Sequence, residues 1–200
     1  VSQSNEAKNI GNQNYNATIG IAKEQSKPMH LNCIRKYISQ SIEVDNIFNY
    51  APTAGLNELR SIWQKRQKDH DPNIKKTTLP IVVGGITHGL SIVGDVFIDE
   101  NTCIIVPDMH WGNYRLIWQV GKECNIATYP FFDDKLKGFN LAAFKDILEK
   151  SSTYKKTVVL LNFPNNPSGY SLQNEEADSL INIIKGENNN IMDLILSQFH

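Results

Sequence analysis

The sequence predicts an α/β fold, a three-layer α/β/α sandwich on a mostly parallel sheet, and three observations carry that prediction. After Pro72, short β-branched runs alternate with longer stretches of helical periodicity. One such run, Val158 to Leu161, empties into the turn Asn162-Phe163-Pro164-Asn165-Asn166-Pro167-Ser168-Gly169-Tyr170, and another, Leu79 to Val83, runs into Gly84-Gly85. Strands separated by helical patterns are the mark of βαβ units, whose parallel sheet is covered on both faces. In open sheets of this kind ligands bind outside the carboxyl ends of the strands.

The elements follow in order. Residues 1 to 14 are polar and without periodicity and read as an arm. Apolar residues at Ile34, Tyr37, Ile38 and Ile42 predict a helix over Leu31 to Ile42, and Leu56, Leu59, Ile62 and Trp63 predict a second over Leu56 to Gln67. Strands are expected at Leu79 to Val83, Cys103 to Val106, Asn125 to Tyr129 and Thr157 to Leu161. Helices are expected between them at Thr87 to Phe97, Gly112 to Gly121 and Leu141 to Glu149. Ala177, Leu180, Ile181 and Ile184 predict a further covering helix over Gln173 to Lys185, and Gly186 with the following Asn run breaks it. The pattern of Ile191 to His200 fits either a strand or a short helix.

With 200 residues the chain can bury a sizeable core. Its 20 basic and 21 acidic residues give no global pull toward nucleic acid or an anionic membrane. Cys33, Cys103 and Cys124 are an odd set without CxxC spacing, so neither a disulfide framework nor a zinc site is indicated, and a reducing cytoplasm fits. No apolar run is long enough to span a bilayer. A first residue of Val suggests a processed or clipped start.

Three segments carry candidate chemistry. Gly84-Gly85-Ile86-Thr87-His88-Gly89 opens a predicted helix, where free N–H groups and a partial positive charge favour an anion and glycines admit it close to the backbone. No Lys follows as in a P-loop, and GxGxxG is absent. Trp111 stands just past the strand Cys103 to Val106, where an indole either packs or covers a flat ligand. Asn165 and Asn166, between prolines, would face the crevice, with Asn165 the better candidate for shaping the turn.

Four segments in sequence order resemble the class I aminotransferases, the fold-type I enzymes that use pyridoxal 5'-phosphate. They are Tyr50-Ala51-Pro52-Thr53-Ala54-Gly55-Leu56-Asn57-Glu58-Leu59-Arg60, Gly84 to Leu90, Pro107-Asp108-Met109-His110-Trp111-Gly112-Asn113-Tyr114, and Asn166-Pro167-Ser168-Gly169, which is similar to the family's Asn-Pro-Thr/Ser-Gly signature. The resemblance implies an incomplete large domain over 49–200, preceded by an arm and helix of the small domain over 1–48. It implies that Gly85, Ile86 and Thr87 cradle the cofactor phosphate and that Trp111 stacks on the pyridine ring. Asn166 would donate its amide to the phenolic oxygen of the cofactor and border the substrate. Tyr50 resembles the tyrosine that reaches the phosphate held by a neighbouring subunit, which implies a homodimer, although a Tyr before Ala-Pro can simply pack a loop. Gly20 looks like the glycine that gives the substrate carboxylate room. The implied reaction moves an amino group between an α-amino acid and a 2-oxo acid, with no nucleic-acid or membrane partner.

Three groups of that family have no match here: the Schiff-base lysine, the carboxylate on the pyridine nitrogen and the arginine that clamps the substrate. Asp193 is followed by Leu194, Ile195 and Leu196 rather than by the family's context, and Lys155, Lys156 and Lys185 stand at element edges, where solvated roles are expected. The expectation is an N-terminal portion with no catalytic residue of its own and no unaided turnover. A lyase or decarboxylase using the same cofactor is one alternative reading. The other is a non-catalytic remnant, which the Asn run after Gly186 favours.

Overall fold

A computed structural model of the chain describes residues 23–24, 27–38, 42–43, 48–133, 138–186 and 191–197, the last stretch as backbone alone. The chain divides into two compact units, Val1–Thr53 and Ala54–His200. In the first, β1 (Lys23–Glu24) pairs antiparallel with β2 (Lys27–Pro28), and α1 (Asn32–Ile38) follows. The helix expected over Leu31 to Ile42 is thus present as two turns, and residues 39–41 lie outside the described set.

The second unit opens with α2 (Asn57–His70). Next come α3 (Ile86–Phe97), β3 (Thr102–Pro107), α4 (Arg115–Val120), β4 (Asn125–Tyr129), α5 (Leu141–Lys150), β5 (Lys156–Phe163), α6 (Asn174–Gly186) and β6 (Ile191–Ser197). The strands form one sheet in the order β4-β3-β5-β6, and all three pairings are parallel. The tail that fitted strand or helix is a strand, in register with β5 from Thr157↔Ile191 to Phe163↔Ser197.

Parallel strands must be covered on both faces, and their alternation sorts the core into two layers. Ile104 and Val106 of β3 and Val158 and Leu160 of β5 point to one face, where they meet Leu90 of α3 and Trp118 of α4. Ile105 and Val159 point to the other, against Phe144 and Leu148 of α5 and Leu180 of α6. Every residue of β3 is buried, as befits a strand with a neighbour on each side. α5 begins on Asn140, whose side chain accepts the Ala143 N–H at 3.0 Å as a helix N-cap does.

Two elements differ from the sequence expectation. Leu79 to Val83 is not a strand: no strand lies beside it among the described residues, and its polar groups find other partners. The Val82 N–H donates to Ala54 O at 3.0 Å, the Arg60 Nε–H to Pro80 O at 2.6 Å, and Gln64 Nε2 to Thr77 O at 2.8 Å, so the run is extended chain held against α2. The helix expected over Gly112 to Gly121 is present over residues 113–122, but its middle, Arg115–Val120, is wound as a wider π-helix, which sequence periodicity does not distinguish from an α-helix. It lets the rings of Tyr114 and Trp118 stack at 5.5 Å with 10° between their planes.

Gly55 stands two residues before α2 and packs against Val82 of the extended run. Its φ is +93°, a left-handed conformation, and a Cβ there would stand 2.4 Å from Val82 Cγ2. Gly55→Ala is therefore expected to lower stability by at least about 1–2 kcal/mol, the cost of placing a Cβ at positive φ. A urea melt checks this, and an unchanged midpoint would contradict the packing of this corner.

Candidate functional site

The loops that leave the carboxyl ends of β3, β4 and β5 are tied to one another by side chains. Asp108, next after β3, accepts the Met109 N–H at 2.8 Å and the Phe131 N–H at 2.9 Å on one carboxylate oxygen, while its own N–H donates to Tyr129 O. Asn165, 4% exposed, does the same for β5: its Oδ1 accepts from Ser168 N–H at 3.2 Å and Ser168 Oγ at 2.7 Å, and its Nδ2 donates to Met109 O at 3.3 Å. The last bond fastens the Asn-rich turn to the loop that carries Trp111. Asn165 is therefore folded into the turn, and of the two adjacent asparagines only Asn166 is exposed.

Trp111 is half-buried and sets its ring edge-on to Tyr114 at 5.5 Å, against the α3/α4 face of the core. Tyr114 is buried, and its hydroxyl accepts from Asn162 Nδ2 at 3.2 Å. Burial pushes its phenol up and the Asn162 amide offsets part of that, so the ring remains a neutral phenol. His110 is bonded through Nδ1 to Pro107 O at 2.7 Å and lies over Tyr114 with ring centroids 6.3 Å apart.

The Gly84-Gly85 segment reaches the same edge by another route. Phe97, the last residue of α3, accepts the Lys156 ammonium on its carbonyl at 2.8 Å, and Lys156 is the first residue of β5. The C-terminus of α3 thus stands at the amino end of the sheet, and a twelve-residue helix running back along strands of similar length puts Gly85, Ile86 and Thr87 at the carboxyl edge. Lys156 stands at the element edge as expected, and its exposed ammonium donates to the last carbonyl of this helix. Gly85 is the residue before α3, with no atom within 4 Å of the place a Cβ would take. An exposed helix start with open space over its glycine and the exposed Thr87 beside it suits a phosphate. The Gly84 N–H is already taken by His88 Nδ1 at 3.2 Å, which leaves the amides from Gly85 onward for a ligand.

Glu176 fixes the far side of the turn. Its carboxylate accepts the Phe139 and Gln173 N–H groups at 2.8 Å each and the Tyr170 hydroxyl at 2.8 and 2.9 Å, while Tyr170 O accepts the Asn165 N–H at 2.8 Å. Burial alone would raise this carboxyl, but the hydrogen bonds from Gln173, Phe139 and Tyr170 outweigh it and hold it below the usual 4.5. A carboxyl lowered on folding stabilises the fold in full above its unfolded range and loses that share as pH falls through the lowered value. Glu176→Gln should therefore flatten the acid-side fall of stability below pH 4.5 while lowering stability at neutral pH. Urea melts at two pH values check it, and parallel wild-type and variant pH curves would contradict it.

Of the residues singled out in the sequence, the structure places Gly85, Ile86, Thr87, Trp111 and Asn166 on one edge of the second unit. Tyr50 is fully exposed in the first unit, and Gly20 lies outside the described residues. A family model for aminotransferase class I and II matches residues 18–192.

The chain belongs to the class I and II aminotransferase family.

Its relatives in that family include the aspartate aminotransferase of Bacillus subtilis, 28% identical over 133 residues, which covers 66% of this chain and 32% of that protein. The probable aspartate/prephenate aminotransferase of Aquifex aeolicus is 31% identical over 132 residues, 64% of this chain and 31% of its own length. Aromatic-amino-acid aminotransferase 2 of Thermococcus litoralis is 28% identical over 155 residues, 74% and 36% of the two chains. Among solved structures, an aminotransferase from Anaerococcus prevotii superposes with a TM-score of 0.81 at 24% identity, covering 98% of this chain and 50% of that one. The broad specificity aminotransferase of Leishmania mexicana gives 0.75 at 20% identity, over 98% and 49%. These superpositions establish the fold, that of the fold-type I aminotransferases in incomplete form. The chain spans about a third of the curated relatives' length and about half that of the solved chains.

Four side chains of this edge were not singled out by sequence reasoning. Asn162 carried a signal, since it is a lone amide closing the apolar run Val158 to Leu161. Glu176, three residues after Gln173, has the spacing of a capping box without its usual Ser or Thr. Asp108 and Tyr114 gave none, because their partners Phe131 and Asn162 are distant in sequence.

Proposed function

We propose that these residues form the cofactor-binding part of a pyridoxal 5'-phosphate-dependent aminotransferase. The observation that carries the reading is the bond from Asn165 Nδ2 to Met109 O, which brings the turn bearing Asn166 to the loop bearing Trp111 at the same sheet edge as the α3 N-terminus. The amides of Gly85, Ile86 and Thr87, with the Thr87 hydroxyl, bind the phosphate, where the helix dipole favours its charge. Trp111, braced by Tyr114, covers the ring face, and Asn166 donates its amide to the phenolic oxygen and borders the substrate. Bound there, the cofactor supplies the electron sink that lets an amino group pass from an α-amino acid to a 2-oxo acid. No lysine among these residues matches the family's reactive lysine, so none is assigned the covalent step.

Similarity to aspartate, aspartate/prephenate and aromatic-amino-acid aminotransferases favours amino transfer over lyase or decarboxylase chemistry. On this reading Gly20 gives room to the substrate carboxylate, and Tyr50, exposed as it is, reaches the phosphate site of a second copy in a cytoplasmic homodimer. Residues 1–48 then belong with the small domain and 49–200 with the large one.

Titrating the chain with pyridoxal 5'-phosphate while following tryptophan fluorescence tests the reading. Saturable quenching is expected, and Asn166→Ala should weaken binding about 10- to 100-fold, the worth of one charge-assisted hydrogen bond. Equal affinity in the variant would remove Asn166 from the site.

A further inference from the structure

Asn162 is a buried polar residue of β5, 8% exposed, on the strand face it shares with Val158 and Leu160. Its Nδ2 donates to the Tyr114 hydroxyl, and its Oδ1 accepts no hydrogen bond from the described residues. A buried carbonyl without a donor is costly, and native proteins satisfy such groups from protein or from ordered water. This one borders a cleft of about 10 Å³ at the carboxyl edge, lined by His110, Tyr114, Tyr129, Asn165 and apolar neighbours including Leu160 and Phe163. That volume is about one water molecule's worth of space, too small for any larger ligand group.

The polar groups on the cleft are complementary to one water. Because the Tyr114 oxygen accepts from Asn162, its own proton is free to donate. Because His110 Nδ1 lies 2.7 Å from the carbonyl of Pro107, a pure acceptor, Nδ1 carries the proton and Nε2 is left as an acceptor. Among the lining residues, Asn162 Oδ1 and His110 Nε2 can accept and the Tyr114 O–H can donate, while the Tyr129 hydroxyl can do either. Water has two protons and accepting lone pairs, and three such bonds are the usual number for a buried water.

We propose that this cleft is a one-water site, in which the water donates to Asn162 Oδ1 and His110 Nε2 and accepts the Tyr114 O–H, making Asn162 a positioning residue for the loop that carries Trp111. The bridge joins β5 to His110 and Tyr114 on either side of Trp111, whose ring rests edge-on against Tyr114. Asn162 thereby acts on the Trp111 loop through both of its amide atoms. The inference goes beyond the cofactor reading and needs no cofactor.

The test is a high-resolution crystal structure of the chain, with water-to-protein NOEs in solution, for wild type, Asn162→Leu and Asn162→Asp. In wild type a water is expected within about 2.7–3.2 Å of Asn162 Oδ1 and of the Tyr114 oxygen. Nitrogen-15 shifts should show His110 as the Nδ1–H tautomer with a hydrogen-bonded Nε2. Asn162→Leu should lose the water NOE and shift both the His110 Nε2 and Trp111 indole resonances, whereas Asn162→Asp, which keeps an acceptor oxygen, should retain the water. A dry cleft in wild type, a protein donor seated on Oδ1, or a water that persists in Asn162→Leu would each overturn the proposal. The wild-type measurement decides even if Asn162→Leu fails to fold. Loss of pyridoxal phosphate binding with the water in place would count against the cofactor reading alone.

Discussion

Trp118→Ala should cost about 3–5 kcal/mol of stability, the range seen when a fully buried Trp is truncated without collapse of the cavity. Trp118 is completely buried where the sheet, α3 and α4 meet. Its indole N–H donates to Leu90 O at 3.0 Å, crossing from α4 to α3, and its ring stacks on Tyr114. A Cβ on Gly94 would come within 3.0 Å of the indole, so α3 approaches it at the closest distance its smallest residue allows. Truncation removes the apolar area, the stack and the hydrogen bond together. The neighbours cannot close the gap, because α3 is held at its far end by Lys156 and Tyr114 by Asn162. Urea denaturation measures the loss, and a cost under about 1 kcal/mol would show that this face is not the packed layer described.

Asn165→Ala should lower stability by roughly 3 kcal/mol, three hydrogen bonds at about 1 kcal/mol each, and should also weaken pyridoxal 5'-phosphate binding. The side chain closes the turn through Ser168 and holds the turn to Met109, so its loss frees Asn166 from the Trp111 loop. Neighbouring substitutions then separate two roles. Asn166→Ala removes an exposed amide and should reduce affinity with little change in the urea midpoint, whereas Asn165→Ala should move both. If Asn165→Ala left affinity untouched, the link between the two loops would have no bearing on the ligand.

The βαβ order was legible because burial on both faces leaves apolar runs without alternation, as in Val158 to Leu161, while the helices keep a 3.6-residue pattern, as in Ala177 to Ile184. Asn125 to Tyr129 has the expected ends. β5 extends past its apolar run at both, because backbone pairing with β3 and β6 does not need apolar side chains. Leu79 to Val83 misled because an apolar run marks extended chain, whereas a strand also needs a neighbour, and this run lies against α2 instead. At the site, glycines announced the α3 start and the Asn-Pro-Ser-Gly turn announced itself. What stayed hidden was the wiring: Asp108 to Phe131, Asn162 to Tyr114 and Glu176 to Phe139 join residues 23, 48 and 37 positions apart. Such pairs exist only once the sheet has set the strand ends side by side.

The proposed ligand, a flat phosphorylated ring, requires one continuous surface at the carboxyl edge of the sheet. Amide and indole NMR spectra of the chain, recorded as pyridoxal 5'-phosphate is added, test that claim most directly. Saturating shifts shared by the Gly85, Ile86 and Thr87 amides, the Trp111 indole and the Asn166 side chain, with a single dissociation constant, are the predicted result. Shifts confined to other faces, or different dissociation constants for the α3 start and for the Trp111 and Asn166 loops, would contradict it.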